Sequence, residues 1–373
     1  LGVVAVNGKI YAIGGSIADY IFSDEDVVGT NERYDPETDT WTTLTPMTTP
    51  RVHFAIAAYK DKIYCIGGQT KWNSTCCTTE VYDIAADSWS TKTSIPFDIQ
   101  LITLNVNQDL HANVVNGKIF ITTFSGDQNM FEDTQHLLNG SKIEKICLRL
   151  FMYDPATDIW TEKASAITNL AVTDCRLVSA VADDKIIVIC SFYHFILVTD
   201  RGFNGVVETN VLSYDPKTDI WREVSSAPME AFYYATTGTT TGLYAPQNIY
   251  MLQDTRNDVY DPIKDTWVVG KNIPTGRQKC GIAVIDDILY VIGGITPTRF
   301  EIIPDISPLP IPVQDCSSAN EQYIPLGYGT TSEPLRPNYI NYLIVATLAI
   351  TIVTVTGGVV FYFKKRNRKS DTM

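Results

Sequence analysis

The chain has 373 residues, of which 45% are hydrophobic, 11% aromatic and 19% charged, with a formal net charge of −13. That hydrophobic fraction excludes a disordered chain, and the length allows one large or two ordinary domains. The acidic balance repels phosphate backbones and argues against nucleic acid as a partner, while the 20 Tyr residues suit β structure.

From the N-terminus, residues 1–6 form an apolar run that turns at Asn7-Gly8 and returns through residues 9–13 into Gly14-Gly15. Asn-Gly between two apolar runs is a strong short-range hairpin signal. The frame comes back at residues 54–68 (ending Gly67-Gly68), 112–121, 177–189, more weakly up to Leu252, and at 282–294 with Gly293-Gly294. Between these hairpins lies a second unit, Tyr34-Asp35-Pro36 leading to Trp41 seven positions on. It recurs as Tyr82 to Trp89, Tyr153 to Trp160, Tyr214 to Trp221 and Tyr260 to Trp267, with a second Asp (39, 87, 158, 219, 265) two before each Trp. Asp-Pro presets a type I turn and the later Asp can cap it, so Tyr and Trp sit on two antiparallel strands. Each repeat therefore reads as a four-stranded antiparallel meander, and a period of about 50 residues points to a propeller.

The double Gly after a strand, then Tyr, then Trp, resembles the kelch repeat family over residues 1–303. The resemblance implies an all-β, six-bladed kelch-type β-propeller. Blades three to five depart from the pattern, with Thr123-Phe124, Cys190-Ser191 and Gln253-Asp254 in place of Gly-Gly. The sixth repeat has two clear strands and a candidate third at residues 298–303, but no Tyr/Trp hairpin. Kelch rings usually close with one strand taken from the opposite terminus. That strand would lie upstream of Leu1, so the propeller is either incomplete at its N-terminus, closed with an incomplete blade, or short of a seventh blade.

Beyond residue 303 the composition changes. Pro304, Pro308, Pro310 and Pro312, then Pro325, Pro334 and Pro337, predict an extended stalk over residues 304–338. Residues 339–363 are almost wholly apolar, and a helix of 24 residues reaches about 36 Å, enough to cross a bilayer. Lys364, Lys365, Arg366, Arg368 and Lys369 follow against only Asp371. The expectation is a single-pass transmembrane helix at 339–363, a basic cytoplasmic tail at 364–373, and the propeller outside the cell membrane. Leu1 is not an initiator Met, so the sequence reads as a mature form or a fragment. Sequons at Asn73 and Asn139 agree with export. The eight Cys do not form a dense framework, since Cys65 and Cys190 lie in core-like runs and the adjacent Cys76 and Cys77 cannot easily pair.

In a meander the first and third turns share one face, and the second turn and the blade-to-blade link share the other. The former are short everywhere, whereas residues 16–30, 69–78, 94–109, 124–146 and 191–208 lengthen the latter. Long loops on one face of a rigid scaffold are where recognition sits. The leading expectation is a protein- or glycan-binding module acting through that face. Arg51 and Arg277, at equivalent blade positions, and His53 and His111, near the starts of inner strands, are the candidate ligand-binding residues; Arg capping a carboxylate between blades is the competing role. No catalytic motif and no cofactor is expected. The alternative is a surface enzyme such as a copper-radical oxidase or a sugar-modifying propeller, since the resemblance includes copper oxidases that use Tyr, Cys and His. The four His residues show no ligand spacing.

Overall fold

The computed structural model describes residues 1–17, 26–71, 74–96, 110–125, 146–168, 174–197, 203–227, 236–296, 299–303, 307–313, 320–325 and 327–329. Its sheets follow the repeats. Blade one is Gly2–Val6, Lys9–Ile13, Asn31–Asp35 and Thr40–Thr43, hydrogen-bonded in that order. Blade two is Ala55–Tyr59, Lys62–Ile66, Thr79–Asp83 and Ser88–Lys92. Blades three, four and five begin at His111–Val115, Asp174–Ala182 and Thr236–Thr239 and end at Ile159–Glu162, Ile220–Glu223 and Thr266–Val269.

The innermost strands lie side by side around a closed ring, with Gly2–Val6 of blade one against Gly281–Ile285 of blade six. The approach is close: a Cβ on Gly281 would stand 2.1 Å from a Val3 methyl carbon. Blade six and blade one are thus direct neighbours, which leaves no gap for a seventh blade. The apolar faces of adjacent sheets make the core, as where Ala55, Ile66 and Val81 of blade two pack with Ile119, Ile121 and Tyr153 of blade three.

Blade six differs from its sequence reading. Its third strand is Asn320–Tyr323, paired with Ile288–Ile292, and not residues 298–303. Tyr323 faces Leu289 as Tyr34 faces Ile10, so Tyr323-Ile324-Pro325 is a sixth, degenerate Tyr-Asp-Pro. Arg299–Ile303 instead pairs with Ser307–Val313 in a separate hairpin. The pairing carries a register shift between Glu301 and Ile303, opposite the stretch that holds Pro308 and Pro310, where missing N–H groups are tolerated. The Pro-rich run is therefore not an unbroken stalk from 304. Residues 191–208 also differ from a loop, because the second and third strands of blade four, Lys185–Leu197 and Phe203–Asp215, stay paired out to Leu197 and Phe203.

Among the described residues no helix is long and apolar enough to cross a membrane. The apolar run 339–363, the basic tail, and the sequons at Asn73 and Asn139 lie outside the described residues.

Candidate functional site

The repeated Tyr-Asp-Pro…Asp-x-Trp unit resolves into a junction between blades. The first Asp turns the chain, its carboxylate accepting the N–H two residues on, as Asp35 does from Glu37 at 3.0 Å and Asp154 from Ala156 at 3.0 Å. The second Asp sits at positive φ, from 46° at Asp87 to 58° at Asp158 and Asp219. There it accepts the Tyr hydroxyl of its own blade: Tyr82 to Asp87 at 2.5 Å, Tyr153 to Asp158 at 2.6 Å, Tyr214 to Asp219 at 2.6 Å and Tyr260 to Asp265 at 2.8 Å. It also accepts a backbone N–H from the preceding blade, that of Thr45, Thr93, Ala164 or Ser225, at 2.8–3.0 Å. The carbonyl of that same residue takes the indole N–H of Trp89, Trp160, Trp221 or Trp267 at 2.7–3.0 Å. One residue of each of blades one to four is thereby gripped at both its N–H and its C=O by the next.

This grip sets the ionisation of its members. Burial, then the bond to Asp, pushes the phenols of Tyr82, Tyr153, Tyr214 and Tyr260 well above the ordinary tyrosine range. The Tyr82 and Tyr214 hydroxyls and the incoming N–H groups hold Asp87 and Asp219 below the ordinary carboxylate range. Burial opposes the same effect at Asp158 and Asp265 but is outweighed.

The opposite face is built on another device. Arg51 and Arg277 are buried, at 0% and 1% exposure, immediately before the inner strands of blades two and six. Arg51 pairs with Glu80 on the third strand of its own blade and donates to the carbonyls of Gly67 at 3.2 Å and Thr78 at 3.0 Å. Arg277 pairs in the same way with Glu321. Thr49 and Thr275 add hydroxyl donors to the two carboxylates. Each Arg thus ties the entry of its own blade to that blade's third strand, rather than one blade to the next, and its charge is satisfied internally. The double Gly turns complete the arrangement. Gly67 and Gly68 have φ of 66° and 98°, and a Cβ on Gly68 would meet the Val52 carbonyl oxygen at 2.5 Å. Gly294 stands in the same relation to Gln278, at 2.6 Å.

His53 is half-buried, lies at φ 55°, and accepts the Leu110 N–H on its carbonyl at 3.3 Å. His111, also half-buried, opens the inner strand of blade three opposite Thr122. The Leu110 bond brings the chain at His53 and at His111 together, whereas Arg277 belongs to blade six, on the far side of blade one. Lys279 repeats His53 in blade six, at φ 55°. Among the described residues no group of three or more His, Cys, Asp and Glu could hold a metal ion. Cys65, Cys76 and Cys280 are free thiols. Burial pushes Cys65 up to about 12 and Cys280 to about 11.

Sequence reasoning passed over Glu80 and Glu321, the partners of the two arginines, and Asp287. The signal for the first two is an acid two residues before the Tyr, on the same strand face: Glu32, Glu80, Asp258 and Glu321. Asp287, in the first turn of blade six, is fully buried and accepts the Thr241, Tyr244 and Ala245 N–H groups and the Thr241 hydroxyl. Burial opposes its ionisation, but these four donors hold it below the ordinary range. It fastens the first turn of blade five to blade six.

The comparisons agree with this geometry. A family model described as Kelch motif matches residues 1–48 and 50–96. The chain is 25% identical over 264 residues to Kelch-like protein 15 of Danio rerio, covering 70% of this chain and 33% of that protein. It is 32% identical over 127 residues to Kelch repeat and BTB domain-containing protein 8 of Homo sapiens, covering 34% of this chain and 19% of that protein. It spans about a third or less of the length of the curated relatives it matches. Among solved structures, one titled "Structure of YjhT" superposes with a TM-score of 0.55 at 14% identity, covering 86% of this chain and 93% of that one, a likeness of fold alone. The chain carries kelch motifs, and its relatives support a kelch-repeat β-propeller.

Proposed function

We propose that this kelch-repeat propeller is a protein-binding module that engages its ligand through the face carrying the second turns and the links between blades. The observation that carries the reading is the asymmetry of the two faces. On one, the Tyr-to-Trp turns keep one length, and four of the five are tied to the preceding blade by a carboxylate. On the other, second turns range from a Gly-Gly bend to the long paired extension of blade four, over a ring that holds their bases rigid. Arg51 and Arg277 serve this face from beneath, by fixing the strand ends from which the variable segments leave. His53 and Lys279, half-buried at its inner rim, and the hairpin Gln69–Lys71 with Ser74–Thr75 are the contacts we assign to it.

The apolar run at 339–363 and the basic residues after it support a second element, that the module is anchored in the cell membrane with the propeller outside. A photo-crosslinking residue placed at His53, Gln69 or Lys279, against one at Lys217 or Lys264 on the short-turn face, tests the binding reading in cells. Protein adducts from the first set only are expected. Adducts from the second set only, or from neither, would overturn it. Protease accessibility of the propeller in intact cells tests the anchoring separately.

A further inference from the structure

The first turns of blades one and three share one sequence, Val-Asn-Gly-Lys-Ile, at residues 6–10 and 115–119. Their backbones also match, with Asn7 and Gly8 at φ 51° and 70° and Asn116 and Gly117 at φ 49° and 73°. Both Asn residues are exposed. Asn before Gly carries a chemistry of its own, because no side chain on the Gly shields its backbone nitrogen from the Asn amide carbon. That nitrogen attacks Cγ. The side-chain nitrogen leaves as ammonia, taking up the proton of the attacking N–H, and a five-membered succinimide remains. Water then opens the ring at one carbonyl to give Asp, or at the other to give isoaspartate, in which the main chain runs through the former side chain. The sum is one water in and one ammonia out, with no oxidant, reductant or further reactant.

The surroundings of the two turns differ. The Asn7 amide donates to Asp61 Oδ1, in the first turn of blade two, at 2.8 Å. That bond has to break before the amide carbon can turn onto the Gly8 nitrogen, and the Asp61 carboxylate opposes the anion that forms as the nitrogen attacks. Among the described residues neither the Asn116 amide nor the Gly117 N–H has a hydrogen-bond partner. The ring also contains residues equivalent to the product. Asp183 and Asp286 stand at the same place in the first turns of blades four and six, two residues before the second strand, at φ 51° and 50°. Asp therefore fits this turn unchanged, whereas isoaspartate adds a main-chain carbon between Val115 and Lys118, the pair that closes the hairpin. We propose that Asn116 is a site of spontaneous deamidation in the folded chain, and that the contact with Asp61 protects Asn7 from the same reaction. The modification lies on the short-turn face and is independent of the binding reading.

The test holds the full chain in detergent at mildly alkaline pH, beside a sample unfolded in guanidinium. The tryptic peptides ending at Lys9 and Lys118 are then resolved into Asn, Asp and isoaspartate forms by mass spectrometry and isoaspartyl methyltransferase labelling. In the unfolded sample the two sites should convert at one rate, since the five residues around them are identical. In the folded chain Asn116 should convert about tenfold faster than Asn7, the effect of one hydrogen bond to a carboxylate. Asp61→Ala should raise Asn7 to the rate of Asn116 and leave Asn116 as it was. Three results would each overturn the proposal: equal rates at the two sites in the folded chain, an Asn116 that converts only after unfolding, or an Asn7 rate unmoved by Asp61→Ala.

Discussion

Blades two and six and blades three and four solve the same problem with opposite chemistry. In the first pair a buried Arg–Glu pair joins blade entry to third strand, and a double Gly lets the second turn pass against a carbonyl. In blades three and four the position of Glu80 is taken by Phe151 and Leu212, and there is no Gly-Gly. There the second and third strands run on past the point where the Gly bend would turn them, to Ser125 in blade three and Leu197 in blade four. An apolar residue at that position does not require a charge at the blade entry, and the two strands continue as a paired extension. Where the ion pair is kept, the strands end at the Gly-Gly bend and a separate hairpin follows it, Gln69–Lys71 with Ser74–Thr75 in blade two and Arg299–Ile303 with Ser307–Val313 in blade six. The Arg–Glu pair thus goes with how the second turn leaves its strands, not with its length.

The sharpest way to break this comparison is to remove one charge. Glu80→Ala should cost about 3–5 kcal/mol, because it leaves Arg51 buried without its carboxylate; a urea midpoint shift worth less than about 1 kcal/mol would show that the pair is not what pins blade two. The double change Arg51→Met with Glu80→Leu converts blade two to the chemistry of blade four and should recover most of that loss. Phe151→Ala in blade three should be of similar size, about 3–5 kcal/mol, by cavity formation. A smaller effect, about 1–3 kcal/mol, is expected for Gly68→Ala, which combines φ 98° with a contact on the Val52 carbonyl.

The junction hydrogen bonds are weaker individually. Trp89→Phe should cost about 1 kcal/mol and Trp41→Phe less, since only the former loses a described acceptor. The smallest predicted effect is in pH. Asp219 is held below its unfolded value, so its contribution is fully present above about pH 4 and is lost as pH falls through the lowered folded value. Tyr214 is raised, so its contribution is fully present below about pH 10 and is lost as pH rises toward the folded value. Tyr214→Phe should flatten both limbs of a stability–pH profile; an unchanged profile would remove the hydroxyl–carboxylate bond from the account.

The fold was legible in the sequence because it repeats. Tyr, Asp and Trp recur at fixed spacing, and Asn-Gly or Asp-Asp marks the first turns, so five blades and half of the sixth could be placed from local turn chemistry. Their role was only half legible. The Asp caps its turn as its residue type suggests, but its bond to the preceding blade joins residues 40 to 65 apart, a distance that no local pattern encodes. The third strand of blade six was missed because Ile324 replaces the Asp that made the other copies visible, and because Pro at alternate positions reads as a stalk while remaining compatible with an edge strand. Arg51 and Arg277 were singled out correctly as equivalent. Their candidacy as ligand contacts rested on their place on the loop-rich face, with capping of a carboxylate between blades as the competing role; the carboxylates are Glu80 and Glu321, which arrive from the third strand of the same blade.

The claim that most needs testing is that recognition belongs to the loop-rich face. Once crosslinking supplies a partner, its affinity should be measured by calorimetry for the intact chain, for a variant with residues 69–75 replaced by Gly and Ser, and for a Lys217→Glu, Lys264→Glu variant. A loss of at least about tenfold in the first variant, with the second unchanged, is the predicted result. Unaltered binding in the first and loss in the second would contradict it and move the binding site to the short-turn face.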